Sequence, residues 1–242
     1  MSTKTRVIAV DAIRGVAIAG VVLFHFVWDI EFAGFISGIA NHPLWLAFGR
    51  SLAGSFMILV GVSLVLAAQK GFHPARYLGR LLKIVLAAVT ITAVTWFAFP
   101  ATFIYFGILH AIAAATLIGT LFLRTPALVC LLAGIVVFLV PMLWQSAIFD
   151  TRWLAWIGFA QRVPPSYDFV PIFPWVGLTL IGVGAAKWLL SGRQVAILDR
   201  LIPDGQSSRA LAWMGRRSLV IYLLHQPVLL SVIVPLSWLV QL

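Results

Sequence analysis

Residues 7–28 read VIAVDAIRGVAIAGVVLFHFVW, and Asp29 follows directly. The run is long enough to cross a bilayer, which takes ~20 mostly apolar residues. Yet it carries Asp11, Arg14 and His25. Ionisable groups in a spanning helix cost from ~2.5 kcal/mol upward at the bilayer centre, so they face a bundle interior or a wet cavity. At ~100° per residue, Asp11, Arg14, His25 and Asp29 fall within a ~60° stripe along the height of the helix. A helix with such a stripe needs partners on its polar side, which implies a helix bundle within a membrane.

The rest of the chain supplies those partners. Six further apolar runs qualify as spans, at about 44–67, 78–98, 101–122, 126–146, 169–190 and 218–240. Breakers separate them: Asn41-His42-Pro43, Gly71 to Pro74, Pro100, Thr125-Pro126, Pro164-Pro165 and Pro203-Asp204-Gly205. The third and fourth runs are expected to form a tight hairpin around Pro100. Hydrophobic residues make up 62% of the 242 positions and charged ones 10%, too few charges to cover a water-facing surface. The expected fold is all-α, a polytopic membrane bundle of about seven transmembrane helices. With no internal repeat, 1–242 reads as a single membrane-embedded domain. Trp153 to Phe159 and Gln194 to Trp213 are expected to lie along the interface.

A net charge of +10 raises the question of nucleic acid, but the basic residues sit in short segments between apolar runs rather than in a binding stripe. They act as topology signals. With the N-terminus inside, thirteen Lys and Arg fall on the cytoplasmic side, Lys4, Arg6, Lys70, Arg193 and Arg200 among them, and only Arg50, Arg152 and Arg162 on the other. The expectation is a cytoplasmic N-terminus, in a first helix retained rather than cleaved, and an extracytoplasmic C-terminus. Cys130, the only cysteine, excludes an intrachain disulfide and a thiol metal site. Walker, dinucleotide, zinc-peptidase and serine-elbow motifs are all missing, so no metal is expected. Gly177, Gly182 and Gly184 read as close helix packing.

Among the polar groups, Asp11 and Arg14 at i,i+3 are spaced to neutralise each other. His25 and Asp29 stand four apart, so the carboxylate is placed to accept from one imidazole nitrogen and leave the other as a general base. The competing view is a polar residue satisfied near the interface. Arg50, His110 and His225 also lie within spans, and Ser218 and Tyr222 share the side of His225. Here too there is a bland alternative, in which His225-Gln226-Pro227 satisfies backbone freed by the proline.

These residues fall into blocks that resemble the heparan-alpha-glucosaminide N-acetyltransferase catalytic-domain family, particularly its bacterial members. The blocks are Asp11-Ala-Ile-Arg14-Gly15, Phe24-His25-Phe26 with Asp29, Arg50 with FMILVGVS at 56–63, and Phe106-Gly-Ile-Leu-His110. They continue with Tyr167-Asp168 to Pro174-Trp175-Val-Gly177, Gly215-Arg-Arg-Ser218, and Ile221-Tyr222-Leu-Leu-His225-Gln226-Pro227. The likeness runs from about 6 to 230. It implies an acyltransferase that takes acetyl or another acyl group from cytoplasmic acyl-CoA to an extracytoplasmic acceptor, an amino sugar or sugar hydroxyl. It also implies the inner membrane of a bacterium.

The resemblance distributes roles. His25 matches the first-helix histidine of the bacterial members and of related O-acetylating membrane acyltransferases. His42 lies where the animal enzyme has its functional lumenal histidine, and is the competing catalytic residue. His25 with Asp29 and Arg50 would form the catalytic group, with direct transfer and an acyl-histidine intermediate both open. Asp11, Arg14, His110, Asp168, Tyr222 and His225 would line a tunnel or bind substrate, and Arg80, Lys83, Arg216 and Arg217 would meet the phosphates of acetyl-CoA. Partners are then the bilayer, acyl-CoA and the acceptor, with a homodimer left open. Two rivals stand beside the enzyme: a small-solute or proton-coupled transporter, which also needs a column of ionisable residues, and a non-catalytic membrane subunit.

Overall fold

The computed structural model describes residues 8–69, 71, 73–191 and 205–240. Lys4, Arg6, Lys70, Arg193 and Arg200 of the orientation count, and 194–204 of the second interfacial stretch, lie outside them. Among the described residues there is no β-strand. The helices are α1 (Ile8–Phe32), α2 (Pro43–Gln69), α3 (Pro74–Ala98), α4 (Ile108–Leu121), α5 (Ala127–Leu143), α6 (Arg152–Ala155), α7 (Ile172–Ser191), α8 (Gln206–Arg216) and α9 (Ser218–Val240).

Each of the seven apolar runs contains a helix. Five of these, α1, α2, α3, α7 and α9, are long and apolar enough to cross a membrane, while α4 and α5 are shorter apolar helices. The 17 residues of α5 span ~25 Å at ~1.5 Å each, short of a ~30 Å hydrocarbon core. The chain is thus an integral membrane protein of helical build. Of the interfacial stretches, Arg152–Ala155 is a single short turn and α8 is an eleven-residue amphipathic helix.

The expected hairpin at Pro100 is not tight. After α3 ends, with Phe99 N–H on Thr95 O at 2.8 Å, the chain stays non-helical through Gly107. Hydropathy did not reveal this, because ATFIYFG at 101–107 is as apolar as a span. What holds the segment open is a second extended stretch, 164–170. Tyr167 N–H donates to Thr102 O and Val170 N–H to Phe106 O, both at 3.0 Å, and Phe106 and Phe169 form a parallel bridge. The Tyr105 hydroxyl donates to Pro164 O, and the Arg152 guanidinium to Ala101 O. Non-helical backbone in a membrane protein requires such partners.

The chain divides into two compact units, Met1–Ser55 with Gln194–Leu242, and Phe56–Arg193. In the first, α8 and α9 pack on α1. The α1–α8 crossing is backbone to backbone: a Cβ on Gly15 would collide with Leu211 O, and one on Gly215 with Asp11 O. Phe24 of α1 stacks on Trp45 at the start of α2, with ring centroids 5.6 Å apart and planes 9° from parallel. Glu31 ties down the intervening loop by accepting from the backbone N–H groups of Gly38, Ile39 and Ala40 at 2.7–3.0 Å.

In the second unit, α7 is the central helix. Glycines bring its backbone against two neighbours. Gly177 meets Gly134 of α5, Gly184 meets Leu131 and Ala127 O of α5, and Gly182 meets Ile58 O of α2. Thr179, fully buried, donates to Met57 O at 2.9 Å. Lys187 turns its ammonium onto Phe122 O and Thr125 O beyond the end of α4, where backbone carbonyls are no longer taken up by α-helical N–H groups. Cys130 is completely buried in the packing around Val183, as a small core residue.

Candidate active site

The polar stripe of α1 faces inward. Asp11, Gly15, Ile18, Val21 and Asp29 are buried, while Ile13, Val16, Leu23 and Phe26 on the other sides are exposed. At its start, Arg14 pairs with Asp11 at 3.1 Å. Further along, His25 Nδ1 lies 3.0 Å from Val21 O. A carbonyl oxygen only accepts, so that bond holds the proton on Nδ1 and leaves Nε2 as the lone-pair nitrogen of the neutral ring. The orienting group is therefore the backbone one turn back, not the Asp29 carboxylate that i,i+4 spacing suggested. The physical reason is that helical side chains lean toward the N-terminus, which carries the imidazole toward Val21 O.

Asp29 is engaged from another helix. Its Oδ1 accepts from Gln226 Nε2 of α9 at 2.7 Å, and it is fully buried. The neighbouring His225 stands edge-on to His25, with ring centroids 4.7 Å apart. Its Nδ1 donates to Tyr222 O at 2.6 Å, which again leaves Nε2 as the lone-pair nitrogen. His225 Nε2, Asp29 Oδ2 and Gln226 Oε1 are buried without a hydrogen-bond partner. Pro227 has no N–H, so the carbonyl it leaves without a helical donor is that of Leu223. Neither side chain turns to that carbonyl; His225 bonds the backbone of Tyr222 and Gln226 reaches Asp29 instead. Tyr222 lies beside His225, with its ring centroid 5.5 Å away.

The other expected site residues are distributed elsewhere. Arg50 is exposed on α2. His42, also exposed, accepts from Leu44 N–H through Nδ1 at 3.3 Å and borders an apolar cleft of about 440 Å3 with Leu23, Trp45 and Phe48. Asp168 and His110 come together in the second unit at the start of α4. Gly107 at the N-cap has no side chain to offer, and Asp168 replaces it: Oδ2 accepts Ile108 N–H at 2.8 Å, at the end of the helix where negative charge is favoured. His110 accepts Gly107 N–H through Nδ1 at 3.2 Å, with Nε2 3.3 Å from Thr92 Oγ1. Both side chains thus cap a helix. Arg80 and Lys83 are exposed near the start of α3, and Arg216 and Arg217 at the end of α8. Arg217 lies over the Trp213 ring at 4.4 Å.

Residues 6–227 match the family model described as heparan-alpha-glucosaminide N-acetyltransferase, catalytic. The chain belongs to that family. No curated protein and no solved structure matches it. Membership in the heparan-alpha-glucosaminide N-acetyltransferase catalytic family, together with the long apolar helices, makes this a membrane acetyltransferase of a family that uses acetyl-CoA as donor. The match covers every polar group of the α1 stripe and ends at Pro227, just after His225 and Gln226. Sequence reasoning missed three polar features of this member of the family: the Asp29–Gln226 bond, the Glu31 loop anchor, and a cleft at the start of α3. Gln226 beside His225 was the available signal for the first. An acidic residue shortly before a glycine-containing loop was the signal for the second.

Proposed function

We propose that the protein moves an acetyl or other acyl group from acyl-CoA, taken from the cytoplasmic side, to an amino-sugar amine or sugar hydroxyl on the far side of a bacterial inner membrane. The supporting observation is the His25–His225 pair, whose Nδ1 protons are both held by backbone carbonyls and whose Nε2 lone pairs are both left over. Bound acyl-CoA supplies the activated thioester. His25 Nε2 takes the proton from the acceptor nitrogen or oxygen as it bonds to the acyl carbon, and the departing thiolate ends as the free thiol of CoA. His225 Nε2 is the second acceptor that orients the incoming N–H or O–H. Asp29 and Gln226 act as positioning residues by tying α9 to α1. Arg50 is assigned to the developing oxyanion, Arg14 and Tyr222 to the substrate path, and Arg80, Lys83, Arg216 and Arg217 to the phosphates. The N-terminus is cytoplasmic, the C-terminus is extracytoplasmic, and 1–242 works as one catalytic domain.

The test is acyl transfer from labelled acetyl-CoA to glucosamine-bearing acceptors in proteoliposomes. His25→Ala is expected to lower kcat by ~10²–10⁴, the usual contribution of a general base, with an unchanged melting temperature. His42→Ala is expected to keep wild-type turnover. Full turnover in His25→Ala would remove the assignment, and solute flux without any acyl donor would replace the enzyme by a carrier.

A further inference from the structure

Helix α8 turns its sides to different surroundings. Ala212 and Gly215 are buried, set against α1 where a Cβ on Gly15 would meet Leu211 O and one on Gly215 would meet Asp11 O. Arg209, Trp213 and Arg216 are exposed, and at ~100° per residue they fall within a ~60° stripe. Trp213 is 49% exposed, and the Arg217 guanidinium lies over its ring at 4.4 Å. Basic side chains interleaved with an indole are the makeup of a helix that sits among lipid headgroups.

The packing fixes where this stripe stands. From Gly215 back to Leu211 the helix passes from Asp11 to Gly15 of α1, so α8 runs antiparallel to α1, and Arg209 lies further along α1 rather than out in water. At its other end α8 is joined to α9 through Arg217 alone, and Ile221 N–H already bonds Arg217 O at 3.0 Å. Both α1 and α9 are long and apolar enough to cross the membrane. The stripe is thus carried at the end of this unit where two spans begin. An exposed guanidinium held at that level reaches for an anion at the membrane surface, since hydrocarbon offers it none. A soluble acidic protein or a nucleic acid would need a face that stands clear of the bilayer. A zwitterionic headgroup carries its own cation beside the phosphate, so a headgroup of net negative charge suits the stripe better.

We propose that the Arg209–Trp213 face of α8 binds the headgroup of an anionic phospholipid, with the Arg209 guanidinium on the phosphate and the Trp213 indole at the boundary between headgroups and acyl chains. Arg209 stands about two turns before Arg216 and Arg217, the arginines given to the donor, so it reads the lipid surface without touching that assignment. The proposal depends on the two spans and not on the acyltransferase reading. Its consequence reaches α1 all the same: a lipid that binds α8 only while α8 is docked at Gly15 stabilises the crossing by mass action.

The experiment adds phosphatidylglycerol or phosphatidylcholine to the full chain in neutral detergent, and follows bound lipid by native mass spectrometry and melting by calorimetry. Wild type should bind phosphatidylglycerol in preference and melt higher in its presence. Arg209→Gln should bind it about fivefold more weakly, the worth of one basic residue near an anionic surface, and Arg209→Glu about twenty-five-fold, for a change of two charges. Arg209→Lys should keep most of the affinity, and lipid-free melting temperatures should match that of wild type. Equal binding of the two lipids by wild type, or equal phosphatidylglycerol affinity in wild type and Arg209→Glu, would overturn the proposal. So would displacement of the lipid by inorganic phosphate, since the stripe would then be a site for free anions.

Discussion

Replacing Gln226 by Leu removes the one hydrogen bond that reaches the Asp29 carboxyl from α9, at 2.7 Å, while leaving a side chain of similar size. Asp29 is fully buried and its other oxygen has no partner, so nothing nearby takes over. A buried polar group stripped of its partner costs about 1–3 kcal/mol, whereas interhelical bonds within membranes are worth about 0.6 kcal/mol on average and about 1.7 at most in double-mutant cycles. With a buried acceptor and a short distance, this pair belongs at the upper end. The expected coupling between Gln226→Leu and Asp29→Leu is therefore about 1–2 kcal/mol. Each single variant should lose stability, and the double variant should lose less than the two together, because it strands no polar group. The assay is equilibrium unfolding in mixed micelles followed by tryptophan fluorescence. Single-variant losses that simply add, within about 0.3 kcal/mol, would show that the bond does not hold α9 to α1 and would remove the positioning role given to Asp29.

Gly15→Val should sharply lower the yield of monodisperse protein, since a Cβ there meets Leu211 O and overpacking costs about 1–3 kcal/mol or more. Gly79→Ala, where a Cβ meets nothing within 4 Å, should leave melting unchanged or raise it slightly. Because Cys130 is fully buried, single cysteines can report topology: Ser207→Cys should react with an impermeant maleimide only from the cytoplasmic side and Thr151→Cys only from the other. Labelling of both from one side would overturn the orientation.

What the sequence carried best was the existence of the helices, because apolar length is a local property and lipid rewards it wherever it occurs. Asp11 with Arg14 was legible for the same reason, as both partners lie within one turn. Residues 101–107 were not, since their apolar side chains suit a loop packed on 164–170 as well as they suit a helix. The difference lies in backbone partners 60 or more residues away. The same holds for Asp168, whose role at the α4 terminus depends on Gly107 lacking a side chain. His25 was correctly placed on the polar side of α1, yet its partner was misread. Spacing along a helix says which groups are neighbours, not which of them a leaning imidazole reaches first. The bond of Asp29 to Gln226 spans 197 residues, so the polar residue beside His225 marks one end of it while spacing along a single helix does not name the other.

The two glycines at the α1–α8 crossing have one further effect. With carbonyl groups seated where side chains would otherwise stand, α1 cannot roll about its own axis without prying α8 away. The imidazole at position 25 is accordingly held at a fixed azimuth, and under the proposed mechanism donor and acceptor would have to be delivered to a stationary base.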